Sequence, residues 1–134
     1  MESTSNLQLI KDLFGYYGQR NIPAFLSMFS EDAVWIEPGD VEDIPYAGSF
    51  TGAAGITRLL TILSQSIRIN KFVPTLFLTE GENVTVLGDN DAQVIATGKY
   101  YTTKWVYSFT VQQQKVTRLQ VFMDTLTIAK AFKP

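Results

Sequence analysis

The chain contains no cysteine and no histidine. Without cysteine there is no disulfide, no thiolate nucleophile and no cysteine-ligated metal. Without histidine the commonest general base is gone, so serine–histidine triads are excluded and acid–base chemistry falls to Asp, Glu, Lys or Tyr. Long apolar runs are also missing: no segment approaches the ~20 residues needed to span a bilayer. Met1 to Asp12 lacks the positive start and apolar stretch of a secretory signal, so a cytoplasmic location is expected. The formal charge is −2 with the signs interspersed. Neither a basic field for nucleic acid nor a polybasic cluster for a membrane surface is present, and neither partner is expected. The acidic pairs Glu31/Asp32, Glu42/Asp43 and Asp89/Asp91 read as turn and surface acids rather than a convergent cage, so no metal is expected. No glycine-rich phosphate loop or flavin signature is present, and no cofactor is expected.

What is present is ample for one core. The 134 residues suit a single domain spanning 1–134, and 46% hydrophobic with 18% charged residues is a folding composition. Leu7, Ile10, Leu13, Phe14 and Tyr17 recur at helical spacing, predicting a first helix over Thr4–Arg20. Asn21 can cap a second, short helix that tolerates Pro23 in its first turn, buries Phe25 and Met28, and stops near Ser30. Ala33 to Glu37 is a short strand running into Pro38-Gly39. Pro38 to Gly52 has no stable period and is an irregular segment able to shape a pocket mouth, with Tyr46 and Phe50 folding back over it. Ile56, Leu59, Leu60, Leu63 and Ile67 define a third helix, with Thr51 a cap.

Beyond Asn70 the pattern predicts strands over Phe72–Thr79, Asn83–Gly88, Ala92–Thr103, Lys104–Gln112 and Lys115–Ala129. The breaks between them include Glu80-Gly81-Glu82-Asn83 and Gly88-Asp89-Asn90-Asp91. Helices first and hairpin-linked strands after predict an α+β fold: an antiparallel sheet with helices on one face. Such a sheet leaves apolar residues uncovered on its outer face, so a homodimer through the sheet is expected.

Strand parity places Trp105, Tyr107, Phe109 and Val111 on the helix-covered face. Trp35 and Glu37 likewise share a side, so an inward Trp35 carries a carboxylate into apolar surroundings, where desolvation raises its pKa and makes it a base near neutrality. The alternative is a strand-end acid facing water.

The passage Phe29-Ser30-Glu31-Asp32-Ala33-Val34-Trp35-Ile36-Glu37-Pro38 is similar to the phenylalanine, acidic turn, alanine, strand, carboxylate, proline passage of the SnoaL-like and ketosteroid isomerase-like (nuclear transport factor 2-like) superfamily. Phe50-Thr51-Gly52 before the third helix and aromatic strands ending at Met123-Asp124 extend the resemblance over nearly the whole chain. It implies a cone-shaped, cystatin-like fold with three N-terminal helices on a curved, mainly antiparallel sheet closing a cavity. In ketosteroid isomerases the carboxylate before that proline is the general base, which falls on Glu37. Those enzymes also use a helix-one tyrosine and a protonated late-strand aspartic acid as oxyanion donors. Here these positions fall near Leu13 or Phe14 and on Tyr107, whose phenol is either an oxyanion donor or a core tyrosine.

SnoaL-like cyclases carry a functional aspartate where Asp124 stands. Parity sends Asp124 to the face opposite Met123 unless a bulge turns it inward. Arg118, Gln120 and Arg58 could orient an acid or simply face solvent. The candidate catalytic set is therefore Glu37, Asp124 and Tyr107. Tyr17, Trp35, Tyr46 and Leu63 are expected to hold a ligand, together with Trp105, Phe109 and Met123 from the strands. The expected function is a cofactor-independent, isomerase- or cyclase-like enzyme acting on a small apolar carbonyl compound. The rival is a domain of the same fold that binds a ligand or partner without turnover.

Overall fold

The computed structural model describes residues 2–134, with side chains from Asn6 onward. Its elements run α1 (Glu2–Gly18), α2 (Ile22–Ser27), β1 (Phe29–Glu37), β2 (Gly48–Thr51), α3 (Gly52–Ser66), β3 (Ile67–Glu80), β4 (Asn83–Val94), β5 (Tyr100–Gln112), β6 (Lys115–Met123) and α4 (Thr125–Phe132). The six strands form one sheet in the order β2-β1-β6-β5-β4-β3. Neighbours are antiparallel except β1 and β6, which pair in parallel. Register shifts in β1, β3 and at Thr110/Val111 are the bulges that bend such strands and let the sheet curl around its contents.

The α+β class and the mainly antiparallel sheet agree with the sequence pattern, and the boundaries show where local signals lost. Asn21 caps α2 by accepting the Ala24 amide at 3.3 Å. That helix ends at Ser27, so β1 begins at Phe29 rather than Ala33. Part of the segment read as irregular pairs with β1 as the short strand β2. Ile67, expected on the third helix, is extended, buried and paired with Val94. The helices among the described residues number four, because the last strand stops at Met123 and Asp124 caps α4. The β-branched run Thr125, Thr127 and Ile128 favours a strand locally. The cap, and the burial of Ile128 and Ala131 at helical spacing, override it.

The turn expected at Gly88–Asp91 does not form. β4 continues through it with every second residue buried, from Val84 to Val94. Gly88 sits on the inner face beneath the Trp105 ring, where even a methyl group would overlap the indole. Glycine is there for the close approach of an aromatic ring, not for a turn. The real hairpin lies one step later, where Gly98 at φ 76° lets the chain reverse. The Gly98 amide donates to the Val94 carbonyl and the Val94 amide to the Lys99 carbonyl, each at 2.8 Å. For the same reason Tyr100 to Gln112 is one strand without the expected break at Thr103/Lys104.

Helix α1 covers β3 and β4, α3 covers β1 and β2, and α4 packs on β5. Between them lies the core, with Ile10, Phe25, Ile56, Leu59, Trp105 and Phe109 among its fully buried side chains. Each such residue contributes about 1.5–3 kcal/mol by leaving water. Trp105, Tyr107 and Phe109 do lie on the helix-covered face. Phe14 from α1 inserts among them, its ring 5.7 Å from Trp105 in a stacked arrangement and 5.9 Å from Phe109 edge-on. No helix among the described residues is long and apolar enough to cross a membrane.

Candidate active site

Glu37 ends β1, and the alternation that buries Ala33 and Trp35 buries it too, at 5% exposure. The Trp35 indole N–H donates to Glu37 Oε2 at 2.7 Å. Trp35 is the carboxyl's only side-chain partner among the described residues. Burial pushes Glu37 up to about 8, against the weaker downward pull of the Trp35 bond. A carboxyl with that pKa is mostly protonated at neutrality yet deprotonates within one pH unit, the range in which a group can both take and return a proton.

Four phenols feel the Glu37 charge. Tyr107 is held well above its ordinary value, first by burial and then by Glu37; Tyr17, Tyr46 and Tyr101 are raised as well, each chiefly by burial. All four therefore remain protonated donors at any physiological pH. The Tyr46 and Tyr101 hydroxyls lie 3.3 Å apart in a buried hydrogen bond. That contact ties the segment after β1 to the start of β5.

Beside the carboxyl is a small apolar pocket, with about 250 Å³ of space between atoms when the open solvent at its mouth is included. Leu13, Phe14 and Tyr17 of α1 form one wall, Phe25 and Trp35 a second, and Phe72, Tyr107 and Leu119 the floor. Ligand pockets usually measure about 300–1,000 Å³, whereas the room here for a water-sized sphere is about 10 Å³, roughly one water, so a ligand enters only where the aromatic walls move apart. Its aromatic walls offer stacking, and Tyr17 and Tyr107 are the hydroxyl-bearing residues among its lining.

The structure thus brings Glu37, Trp35, Tyr17 and Tyr107 together. Trp105 and Phe109 stand behind the floor: Trp105 stacks on Phe72 at a ring distance of 4.6 Å, and Phe109 is fully buried. Leu63 and Met123 are partly buried against the core without reaching the cavity, and Tyr46 is engaged with Tyr101. Asp124 requires a correction. It is exposed, its Oδ1 accepts the Thr127 amide at 3.1 Å and its Oδ2 the Thr127 hydroxyl at 2.7 Å. Those bonds hold its carboxyl below the usual aspartate value. It caps α4 and faces solvent. Strand parity had sent it away from the inner face, but on a strand rather than at the start of a helix. Among the described residues no three acidic side chains converge as a metal site.

Sequence reasoning missed two polar residues on the same inner face. Asn90 and Thr103 are 3% and 5% exposed. They face each other across β4 and β5. They were hidden because Gly88–Asp91 resembled a turn; the strict alternation Val84, Val86, Gly88, Asn90, Ala92, Val94 is the signal that places Asn90 inside.

Comparison with known proteins fits this architecture. The SnoaL-like domain family matches residues 10–119. An NTF2-like protein from Burkholderia xenovorans LB400 is 33% identical over 98% of both chains, with a TM-score of 0.89. TerC, crystallised with polyporic acid, is 24% identical over 97% of this chain and 99% of its own, with a TM-score of 0.83. A candidate SnoaL-like polyketide cyclase from Mesorhizobium loti is 14% identical over 87% and 97%, with a TM-score of 0.70, a likeness of fold alone. No functionally curated protein matches. The chain belongs to the SnoaL-like family of the NTF2-like superfamily.

Proposed function

We propose that this protein takes a compact apolar carbonyl compound into the aromatic cavity and transfers a proton with Glu37. The observation that carries this reading is the buried carboxyl bonded to Trp35 and ringed by protonated phenols. In the ionised form Glu37 removes a proton from the carbon next to the carbonyl. The C–H electron pair becomes a C=C bond and the carbonyl oxygen takes the negative charge. Tyr107, a neutral donor on the cavity floor, stabilises that oxygen. The protonated Glu37 then returns its proton to the far carbon of a conjugated dienolate, completing an isomerisation without a cofactor. In a ring closure the enolate carbon instead bonds to a second carbonyl carbon of the same molecule, whose C=O electron pair moves to its oxygen, and Glu37 protonates that oxygen.

Glu37→Gln keeps the shape and removes the base. Proton–deuterium exchange at the α-carbon of a small enolisable ketone should fall at least about a hundredfold, the usual worth of a positioned acid–base group, while binding persists. Equal exchange by both proteins would defeat the mechanism.

One observation favours a binding domain instead. The cavity wall includes Trp35 but not the Glu37 carboxyl, so a ligand can occupy the space without meeting the base. In that case wild type and Glu37→Gln bind alike and neither catalyses exchange.

We also propose that two copies associate through the outer face of the sheet. Leu76, Leu87, Val106 and Phe122 lie opposite one another in sequence across β3, β4, β5 and β6. Leu76 is 48% and Phe122 49% exposed. They form a continuous apolar row that a second copy would cover.

A further inference from the structure

Helix α1 carries glycine where nothing requires it and lacks glycine where its ending favours it. Gly15 and Gly18 are exposed, neither has a positive φ, and a methyl group added at either would meet nothing within 4 Å. Each weakens the helix relative to alanine, by about two- to fivefold in the balance between helical and frayed chain. The helix then closes with the Arg20 amide donating to the Tyr17 carbonyl at 3.1 Å and the Asn21 amide to the Tyr16 carbonyl at 2.9 Å. That pair of bonds is a Schellman ending, whose left-handed position favours glycine. Arg20 fills it instead, at φ 59°, where a side chain crowds the backbone. Three separate residue choices thus loosen the half of α1 that bears Phe14 and Tyr17, one wall of the pocket.

Phe14 is half-buried and its ring lies among four others: Trp105 at 5.7 Å, Phe109 at 5.9 Å, Tyr107 at 6.0 Å and Phe72 at 6.2 Å. Those four stand on β3 and β5, held by the ladders on either side of β4. Phe14 alone comes from a helix, so fraying of α1 back past Gly15 withdraws its ring and leaves the others in place. The space it vacates is one aromatic ring in size and opens onto the pocket, which Phe72 and Tyr107 also line. As it stands the pocket has room for roughly one water, so a ligand needs this wall to move. We propose that residues 14–20 form a lid, and that the ligand it admits presents a single flat aromatic ring, which takes the place of the Phe14 ring. This rests on the reading of the pocket as a ligand site and adds the ligand's shape and its way in. A flat ring restores the stacked and edge-on contacts that Phe14 gives up, whereas a puckered saturated ring is too thick to do so.

The test uses phenol and cyclohexanol, which share a hydroxyl and differ in the flatness of the ring. Wild type should bind phenol the more tightly, and the Phe14 ring resonances, shifted in the free protein by the surrounding rings, should move toward ordinary positions in the phenol complex. Gly15→Ala combined with Gly18→Ala, and separately Arg20→Gly, leave every pocket residue in place and make the lid harder to open. In the double alanine variant amide exchange over residues 16–21 should slow about tenfold, and phenol should bind about tenfold more weakly, because affinity follows the population of the open state. Arg20→Gly should move both in the same direction, although it adds a glycine where the other variant removes two. A helix that merely lines a preformed pocket would gain stability from these changes and keep its affinity. Unchanged amide exchange, or slowed exchange with undiminished phenol affinity, therefore overturns the lid and leaves the pocket reading standing. Cyclohexanol bound as tightly as phenol, or Phe14 resonances that stay put in the complex, overturns the replacement of one ring by another. Binding of neither compound overturns the pocket reading and the lid together.

Discussion

Trp35 and Glu37, two residues apart on β1, meet side chain to side chain inside the core through a 2.7 Å hydrogen bond from the indole N–H to the carboxyl. Because an indole can only donate, the bond favours the ionised carboxyl and opposes the desolvation that raises its pKa. Replacing Trp35 by Phe keeps an aromatic ring and removes the donor. The Glu37 pKa should then rise further above about 8, by about one unit if the lost bond was worth 1–2 kcal/mol. Carboxyl carbon resonances followed against pH measure it directly. A purely structural Trp35 would change the melting temperature and leave that titration in place.

The same carboxyl sets how stability depends on pH. Its folded pKa of about 8 lies above the ordinary 4.5. Between these values the folded protein keeps a proton that the unfolded chain has lost. Folding then takes up a proton, and stability falls as pH rises, by up to roughly 1.4 kcal/mol per unit. Below pH 4.5 the contribution is fully present; above pH 8 it has gone. Urea unfolding at pH 5 and pH 9 should show Glu37→Gln losing this share of the decline, since an amide has no proton to lose. A wild type and variant with parallel pH profiles would place Glu37 in water.

Asp124 carries the opposite expectation. Its carboxyl is held below the ordinary 3.8 by the bonds to Thr127, so its contribution is present above that value and lost as pH falls through the folded one. Asn caps helices about as well as Asp. Asp124→Asn should therefore be nearly neutral, whereas Asp124→Ala should fray α4, seen as faster amide exchange over Thr125–Phe132. Neither change should alter the Glu37 titration or ligand exchange. A loss of turnover in Asp124→Asn would restore the acid–base role that its position at the end of β6 suggested.

Gly88→Ala tests the packing beneath the site. The added methyl would overlap the Trp105 ring. That ring must move, and with it Phe72, which it stacks on at 4.6 Å. Overpacking of this kind costs about 1–3 kcal/mol. Chemical unfolding should show that loss together with a shifted Trp105 indole resonance; an unchanged midpoint would mean that the ring is not seated as described.

Much of this was legible in period alone. Trp35 and Glu37 fall on one side of β1 because side chains alternate, and Trp105, Tyr107 and Phe109 meet the helices for the same reason. The failures occurred where local chemistry has two uses. Gly88, Asp89 and Asn90 are turn formers, yet in β4 the glycine makes room for an indole, Asp89 pairs with Lys104 across the sheet at 3.1 Å, and Asn90 points inside. Thr125, Thr127 and Ile128 favour strands, but Asp124 supplies a cap and the buried side chains supply a helical face. In both places the deciding contacts come from distant residues, which no window of sequence contains. The Phe14 ring among the strand aromatics is a case of the same kind, since its position depends on how α1 crosses the sheet.

The outer face supplies the last prediction. Register places Leu76 against Leu87, Leu87 against Val106, and Val106 against Phe122, so four strands contribute to one apolar row. Water on such a row is costly at about 25 cal/mol per Å² of apolar surface, and a two-fold axis through it would let each residue meet an apolar residue of a second copy. The row's ends are its most exposed members, with Phe122 at 49%. A lysine at Phe122 faces water in the monomer at little cost and would be buried in the dimer without a stated partner, which is strongly unfavourable. Sedimentation of the wild type at micromolar concentration should give a dimer, and Phe122→Lys a folded monomer with the Glu37 titration intact. A wild-type monomer would remove this association, as would a Phe122→Lys dimer as tight as the wild type.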